Sequence, residues 1–356
     1  MNDTADSVFT APENQVDQDW PGLARHLARA GHDFETAPPP RQFASGFGNL
    51  NYRIIMDGAP AVLRRPPPGP LPPGANNMLR EGRILRGLEG HFPLAPRCLH
   101  LCEDTEVLGA PFLIMGYRPG IVISGELPAS HINAEQVGEG LSDMLIQVLG
   151  TLHAVDPAAA GLQSLGRPEG FLSRTALGWA KRAELAWEGS TPAVVAEILD
   201  WLDRNPVREG PARLLHNDFK LDNMILNPET LAPRALIDWD LGTRGDPLWD
   251  LAVLLTYWAE ADDVPAMHDL RQMPTAQLGF PSRHAMIERY AKHSGNDVSK
   301  IRQYRVVAQF RLAVVFRQIF RRFRDSGENN PRALTFDTLA DGLLAFTKDV
   351  MAGRVD

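Results

Sequence analysis

The chain has 356 residues, with 36 Lys and Arg against 44 Asp and Glu for a net charge of −8, 44% hydrophobic and 22% charged residues. This is the composition of a globular protein with a buried core. The acidic balance argues against nucleic acid as a partner, because such binders concentrate cations to neutralise phosphates. No apolar run reaches membrane-spanning length, the amino terminus lacks the apolar segment of a signal peptide, and no membrane partner is implied, so the cytoplasm is the expected compartment. Cys98 and Cys102 have no second Cys/His cluster beside them in the sequence and are expected to be free thiols.

Residues 1–18 are polar and read as a flexible tail. Trp20, Leu23 and Leu27 then mark one face of a short helix, with Pro21 near its start and Gly31 after it. Phe47 to Met56 and Ala61 to Arg65 read as a strand pair turned at Asp57-Gly58. The proline run from Pro66 to Pro73 excludes helix or central strand, since proline lacks the backbone donor. Met78 to Leu88 is a helix with Glu81 on the side of Ile84, Leu85 and Leu88, and Arg83 pointing away. Strands follow at Cys98 to Leu101 and Pro111 to Met115, and Tyr117 to Gly120 breaks the pattern. The expected division is therefore a lobe over 19–117 and a larger lobe over 118–356.

The second lobe is mainly helical, over Ala134 to His153, Leu172 to Trp187, Pro192 to Leu202, Ser299 to Arg322 and Arg332 to Val350. Short strand-like runs at Met224 to Leu226 and Arg234 to Ile237 interrupt it. Both lie beside the most polar motif in the chain. His216-Asn217-Asp218-Phe219-Lys220-Leu221-Asp222-Asn223 is followed, twenty residues after Asp218, by Asp238 in Ile237-Asp238-Trp239-Asp240. Phosphoryl transfer needs a carboxylate to orient the attacking hydroxyl and accept its proton, and oxygen ligands to hold Mg²⁺ against a triphosphate. Asp218 is the candidate base and Asn223 and Asp238 the candidate metal ligands, an adequate set for magnesium, which takes few protein ligands. Lys220 is placed to stabilise charge on the transferred group. A turn carboxylate bonding local backbone is the favoured reading of Asp222, and Asp240 is a candidate for a second metal.

These motifs resemble the aminoglycoside phosphotransferase and choline kinase family, relatives of the protein kinases, over residues 40 to 260. The resemblance implies an α+β, bilobal protein-kinase-like fold, ATP or GTP as co-substrate, Mg²⁺ as cofactor and a small hydroxylated molecule as acceptor. Asp218 and Asn223 then correspond to the catalytic loop, His216 positions that loop, and Asp238 opens the counterpart of the D-F-G segment. Gly245-Asp246-Pro247-Leu248-Trp249-Asp250-Leu251-Ala252 is similar to the family's G-D-P-x-x-D-L-A run, which makes Asp250 a brace for the loop. As residues alone, that run reads as a helix start with Asp246 as N-cap and Pro247 as its first position.

For the nucleotide, Gly46 and Gly48 before a strand allow backbone amides to approach phosphates, with Asn49 beside them. Met115 and Tyr117 flank the expected hinge. Ala61-Val62-Leu63-Arg64-Arg65 resembles the kinase strand that carries a lysine, but here Arg64 stands in its place, with Arg65 the neighbouring alternative and Glu81 the expected ion-pair partner. Arg317, Arg321 and Arg322 fit a solvated helix face. The stretches from Leu63 to Leu71, Arg80-Glu81 and Leu101 to Phe112 resemble the kinase-like domain joined to acyl-CoA dehydrogenases in animal family members 10 and 11. This ranks a hydroxyacyl-CoA first as acceptor, with Gly82 and Gly116 as departures from that subgroup. Glu260, Asp262 and Asp263 supply acid for a polycationic acceptor but read as surface. An aminoglycoside, choline or sugar kinase and a catalytically silent nucleotide-binding module are the alternatives.

Overall fold

The computed structural model describes residues 8–44, 48–69, 76–128, 131, 136–277, 279–327 and 330–355. Strands β1 (Phe34–Glu35), β2 (Arg41–Gln42), β3 (Leu50–Met56), β4 (Ala59–Arg65), β5 (Cys98–Cys102) and β6 (Phe112–Gly116) form one antiparallel sheet, in the order β1-β3-β4-β6-β5 with β2 also on β3. Asp57 and Gly58 turn β3 into β4 with left-handed backbones, φ 54° and 72°, the geometry of a tight hairpin whose twist matches its strands.

Because side chains alternate along a strand, the register sorts this sheet into two faces. Tyr52, Ile54, Leu63 and Ile114 share one face with Leu23 and Leu27 of helix α1 (Trp20–Arg29), whose N-cap Asp19 accepts a hydrogen bond from Gly22 N at 2.8 Å. Asn51, Arg53, Val62, Arg64 and Met115 share the other face. Helix α2 (Met78–Leu88) packs there through Ile84, Leu85 and Leu88, capped by Asn77, which accepts from Arg80 N at 2.9 Å. A Cβ on Gly82 would meet the Leu101 side chain at 2.7 Å, so a larger residue at this position needs Leu101 to move.

The expected flexible tail does not extend to residue 18. Phe9 bridges to Phe43, Thr10 N donates to Gln42 O (2.8 Å), and the buried Tyr52 hydroxyl donates to Val16 O (2.6 Å). A polar segment becomes ordered here because the edge of β2 offers unpaired backbone groups.

Helix α3 (Thr105–Leu108) links β5 to β6, and after Gly116 the chain passes by an Ile121–Leu226 bridge into the helical lobe. That lobe comprises α4 (Val137–Ala154), α5 (Phe171–Ala186), α6 (Ala193–Arg204), α7 (Leu248–Thr256), α8 (Pro265–Asp269), α9 (Arg283–Ser294), α10 (Ile301–Ser326) and α11 (Phe336–Ala352). Helix α10 runs through its centre, largely buried from Gln303 to Phe316 and packed by α5, α7 and α11. Between α6 and α7, strand β7 (Arg213–Leu215) pairs with β10 (Thr243–Gly245), and β8 (Met224–Leu226) with β9 (Pro233–Leu236). The three-residue β7 and β10 are too short to show a periodicity. These two ribbons matter because the loop 216–223 joins β7 to β8 and the loop 237–242 joins β9 to β10, which sets the two polar motifs side by side.

Both cysteines are free thiols. Cys102 nevertheless has His26 and His100 within 4.8 Å, a grouping from α1 and β5 that the linear sequence conceals. His26 Nε2 lies 3.0 Å from His100 Nε2, and burial, together with the neighbouring His26 and His32, lowers His100 to about 4. A base whose folded pKa lies below its ordinary 6.5 binds its proton more readily when unfolded, so stability is present above pH 6.5 and lost as pH falls toward 4. Urea midpoints measured from pH 7 to pH 4 should decline, and His100→Gln should flatten that decline.

Candidate active site

The loop after β7 is held by buried acceptors. Asp250 of α7 is fully buried, and its two oxygens accept from His216 N and Asn217 N, both at 2.7 Å. His153 of α4 stands behind it, 3.3 Å from Asp250 and 2.8 Å from the Tyr290 hydroxyl. His216 Nδ1 accepts from Asp218 N (3.3 Å) and its Nε2 donates to Ile237 O (2.9 Å), which assigns a neutral tautomer and ties the first loop to the second. Asn217 and Asp238 both carry left-handed backbones, φ 66° and 69°, which non-glycine residues hold only where surroundings enforce them. For Asn217 the enforcement is explicit: its side chain donates to Leu241 O (2.9 Å) and accepts from Trp249 Nε1 (2.7 Å) and Arg311 (2.8 Å). Helix α7 starts one residue later than its pattern implies. Pro247 is the cap residue, while Asp246 accepts from Leu248 N (2.9 Å), Gly210 N (2.5 Å) and the Tyr304 hydroxyl (2.8 Å).

On this frame Asp218 and Asn223 meet directly: the Asn223 amide nitrogen donates to Asp218 O (2.8 Å) and Oδ2 (3.1 Å). The amide oxygen of Asn223 is thereby turned away from Asp218. Ile237 N donates to Asn223 O at 2.9 Å, which places Asp238 next to Asn223 across the two loops. Burial alone would raise the Asp218 carboxyl, but the charges of Lys220 and Arg311 and its neighbour His216 outweigh this and hold it below the ordinary carboxylate range. Lys220 Nζ lies 3.7 Å from Asp218, 3.2 Å from Asp222 and 2.9 Å from Gln272 Oε1, over the Tyr257 ring. Asp222 is therefore a partner of Lys220 rather than a turn carboxylate. Its other oxygen is buried without a hydrogen bond, and burial pushes it up to about 6 despite the lysine.

Arg64, buried on the cleft face of β4, joins the lobes. Its Nε is 2.8 Å from Glu81 Oε2, a charge contact whose N–H points off the oxygen, and its Nη2 pairs with Asp238. Glu81 is fully buried, raised by burial against the pull of Arg64, and its other oxygen accepts from Trp239 N at 3.3 Å. Asp240 hydrogen-bonds Asp238; burial, then that neighbouring carboxylate, pushes Asp240 up to about 7. Asp240 also accepts from Asn49 (3.4 Å) and Asn76 N (3.2 Å), and the Asn76 side chain donates to Asn49 (2.9 Å) and to Gly48 O. Gly48 and Asn49 are thus tied to the segment carrying Asp238, whereas Gly46 lies outside the described residues. Arg65 points to the opposite face, donating to Gln18 (2.5 Å), Leu108 O (2.6 Å) and Pro66 O (3.1 Å). Met115 is buried on the cleft face, and Tyr117 stacks on Phe43 at 6.4 Å under Arg53.

A small sheet lobe, a helical lobe and this loop pair now stand together, and residues 40–286 match the phosphotransferase enzyme family. The chain belongs to that family. Acyl-CoA dehydrogenase family member 10 of Mus musculus is 31% identical over 283 residues, 79% of this chain and 26% of that protein. Member 11 of Mus musculus is 28% identical over 326 residues, 90% of this chain and 41% of that protein. The chain thus spans less than half the length of these curated relatives. Among solved structures, a Ralstonia eutropha protein assigned as an aminoglycoside phosphotransferase superposes with a TM-score of 0.72 at 25% identity, over 94% of this chain and 99% of that one. The protein-kinase-like, α+β fold of the phosphotransferase family accounts for the sheet, α2 and the helical lobe.

Next to Asp218 the family scaffold encloses a cavity of about 250 Å³. Its polar lining is Asp218, Lys220, Thr256, Tyr257, Gln272, Arg311 and Arg332, and the rest is apolar, including Val253, Leu312, Val315, Phe316 and Phe336. Glu260 and Asp263 take no part: both hold the buried Arg283, with Asp263 contacts of 2.6 and 2.7 Å, and Asp262 is exposed. Arg317 and Arg321 donate to Ala186 O (3.4 Å) and Leu185 O at the end of α5, where cations suit the helix dipole.

Asn217, Arg311, Tyr257, Gln272 and Asn76 were not among the residues the motifs selected. Asn217 had a signal, its place between His216 and Asp218, and Arg311 had a weaker one, a cation within an apolar helix. Tyr257, Gln272 and Asn76 had none. Removing the cation that offsets Glu81 and Asp238 should be costly: Arg64→Met is expected to lose roughly 3–5 kcal/mol, and Arg64→Lys clearly less, by urea unfolding at pH 7.

Proposed function

We propose that this phosphotransferase moves the γ-phosphoryl group of ATP or GTP, with Mg²⁺, onto the hydroxyl of a small molecule, and that the acceptor is a hydroxyacyl-CoA. The observation that carries the reading is the setting of Asp218: a carboxylate on the loop shared with Asn223 and beside Asp238, opening on a cavity that has three cations, an apolar wall and no second carboxylate. The donor set fits Mg²⁺, since it consists of hard oxygens, the Asn223 amide oxygen and the Asp238 carboxylate, next to a second carboxyl whose like charge a cation relieves. Asn223 and Asp238 would hold the ion, and it would supply positive charge to offset that developing on the transferred group.

Asp218 accepts a hydrogen bond from the acceptor hydroxyl and directs its oxygen at the γ-phosphorus. The new oxygen–phosphorus bond forms as the bond to the β-phosphate bridging oxygen breaks, and the hydroxyl proton passes to Asp218. Its lowered pKa keeps Asp218 ionised at neutral pH, which suits a loose transition state in which orientation outweighs early proton removal. Lys220, raised by its carboxylate neighbours despite burial, stays charged beside the transferred group. Arg64 and Glu81 position Asp238 and the phosphates, the Gly48–Asn49 segment covers the phosphates, and Met115 and Tyr117 border the base. His216 and Asp250 fix the loop.

The cavity disfavours a polycationic acceptor, because Lys220, Arg311 and Arg332 would repel it and the acids nearby are occupied by Arg283. An acyl chain fits the apolar wall, and an anionic remainder suits the cations. Nucleotide consumption with Mg²⁺ across a panel of hydroxyacyl-CoA thioesters, aminoglycosides, choline and sugars should show turnover with the thioesters. Asp218→Asn should lower kcat by roughly 10²–10⁴-fold with the fold intact by circular dichroism. Turnover confined to aminoglycosides, or unaltered in Asp218→Asn, would overturn the acceptor or the base respectively.

A further inference from the structure

On the face of the sheet turned away from the transfer site, His26 of α1 and His100 and Cys102 of β5 each offer a donor atom, all within 4.8 Å of one another. The transfer chemistry leaves this group unused. Strand β5 supplies two of its members through a shift in register. Cys98 pairs with Met115 on the cleft face, whereas beyond the shift His100 lies opposite Ile114 and Cys102 opposite Phe112, on the face that α1 covers. His26 comes from the last turn of α1, next to the buried Leu27.

The two Nε2 atoms of His26 and His100 face each other at 3.0 Å, and the buried Cys102 thiol beside them has only a long contact, 3.7 Å, to Asp104 O. A hydrogen bond between two neutral imidazoles accounts for the histidines alone and gives the thiol no part. A tetrahedral ion accounts for all three. With zinc–nitrogen bonds of about 2.0–2.1 Å and a zinc–sulfur bond of about 2.3 Å, two nitrogens stand about 3.4 Å apart and nitrogen and sulfur about 3.6 Å. Small rotations of the side chains reach these separations. Nitrogen and sulfur donors select a borderline-soft transition ion over magnesium or calcium. Phe112 backs both imidazoles, at 5.9 and 6.0 Å between ring centroids, an apolar surround that limits access of water to the bonds. Both histidines are half-buried, which leaves the ion a path from solvent. His32, hydrogen-bonded to Asp57 at 2.8 Å, has its ring centroid 5.6 Å from that of His100 and stands just outside the group.

We propose that His26, His100 and Cys102 bind a divalent ion of the zinc type, with water in the fourth position, and that the ion clasps α1 to the edge strand β5. Cys102 binds as thiolate, its proton passing to solvent as the metal–sulfur bond forms. The site lies across the sheet from Arg64, so the ion stiffens the sheet lobe and takes no part in the transfer step.

The full chain, stripped with EDTA and kept reduced with a phosphine, is titrated with Co²⁺ in excess Mg²⁺, which occupies sites of hard oxygens. Stoichiometric Co²⁺ should give the visible bands of a tetrahedral ion together with a near-ultraviolet thiolate-to-cobalt band, and Zn²⁺ should bleach both. Cys98→Ser should keep both, because its thiol faces the cleft. Cys102→Ser should lose the thiolate band, and His26→Gln and His100→Gln should weaken Co²⁺ binding roughly 100-fold or more, with circular dichroism checking that each variant folds. Zn²⁺ should raise the melting temperature of the unaltered chain and of Cys98→Ser and leave that of Cys102→Ser unmoved. The absence of a thiolate band in the unaltered chain, its survival in Cys102→Ser, or an affinity indifferent to both histidines overturns the assignment.

Discussion

A single buried cation organises the junction of the two lobes. Arg64 sits between Glu81 of α2 and Asp238 of the helical lobe, in contact with both carboxylates. A charge out of water must be balanced nearby, so the sheet, α2 and the loop after β9 are held to one arrangement. Lysine, a point charge on a flexible stem, meets one partner well; the planar fork of arginine meets two at once. The departure from the kinase-type lysine therefore changes how the lobes are coupled without removing the coupling.

The loop 216–223 follows the same logic on a smaller scale. Its backbone donors end on Asp250, its imidazole reaches across to Ile237 O, and Asn217 is held in a disfavoured backbone conformation by a tryptophan, an arginine and a carbonyl. Such over-determination keeps the Asp218 carboxylate and the Asn223 amide in register while leaving them in reach of the cavity. The second loop pays no comparable local price: Asp238 adopts its left-handed backbone beside Arg64 and Asp240, and Asn76 and Asn49 tie it to the sheet lobe.

The helical lobe distributes its charge unevenly. The acidic residues that composition made conspicuous, Glu260 and Asp263, are spent on Arg283 inside the lobe. Of the arginines read as an ordinary helix surface, Arg317 and Arg321 close the end of α5, while Arg311, one turn and a half earlier on α10, lines the cavity beside Asp218. An acidic chain thus carries a locally cationic cavity lining beside Asp218.

Much of the architecture was legible in the chain because its signals are local. Helix α2, strand β8 and the Asp57-Gly58 turn follow from spacing and turn chemistry, and the H-x-D-x-x-x-x-N motif with Asp238 stands out as the chain's polar cluster. What tertiary structure decided is whatever depends on partners distant in sequence. The order of residues 8–18 and the partnership of Asp222 with Lys220 arise between segments or side chains whose encounter no periodicity records. Sequence sets which groups a segment offers; the packing of α5 and α10 against the loops decides which of them remain in contact with water and ligand, because burial energy is settled by the whole surface each side chain meets.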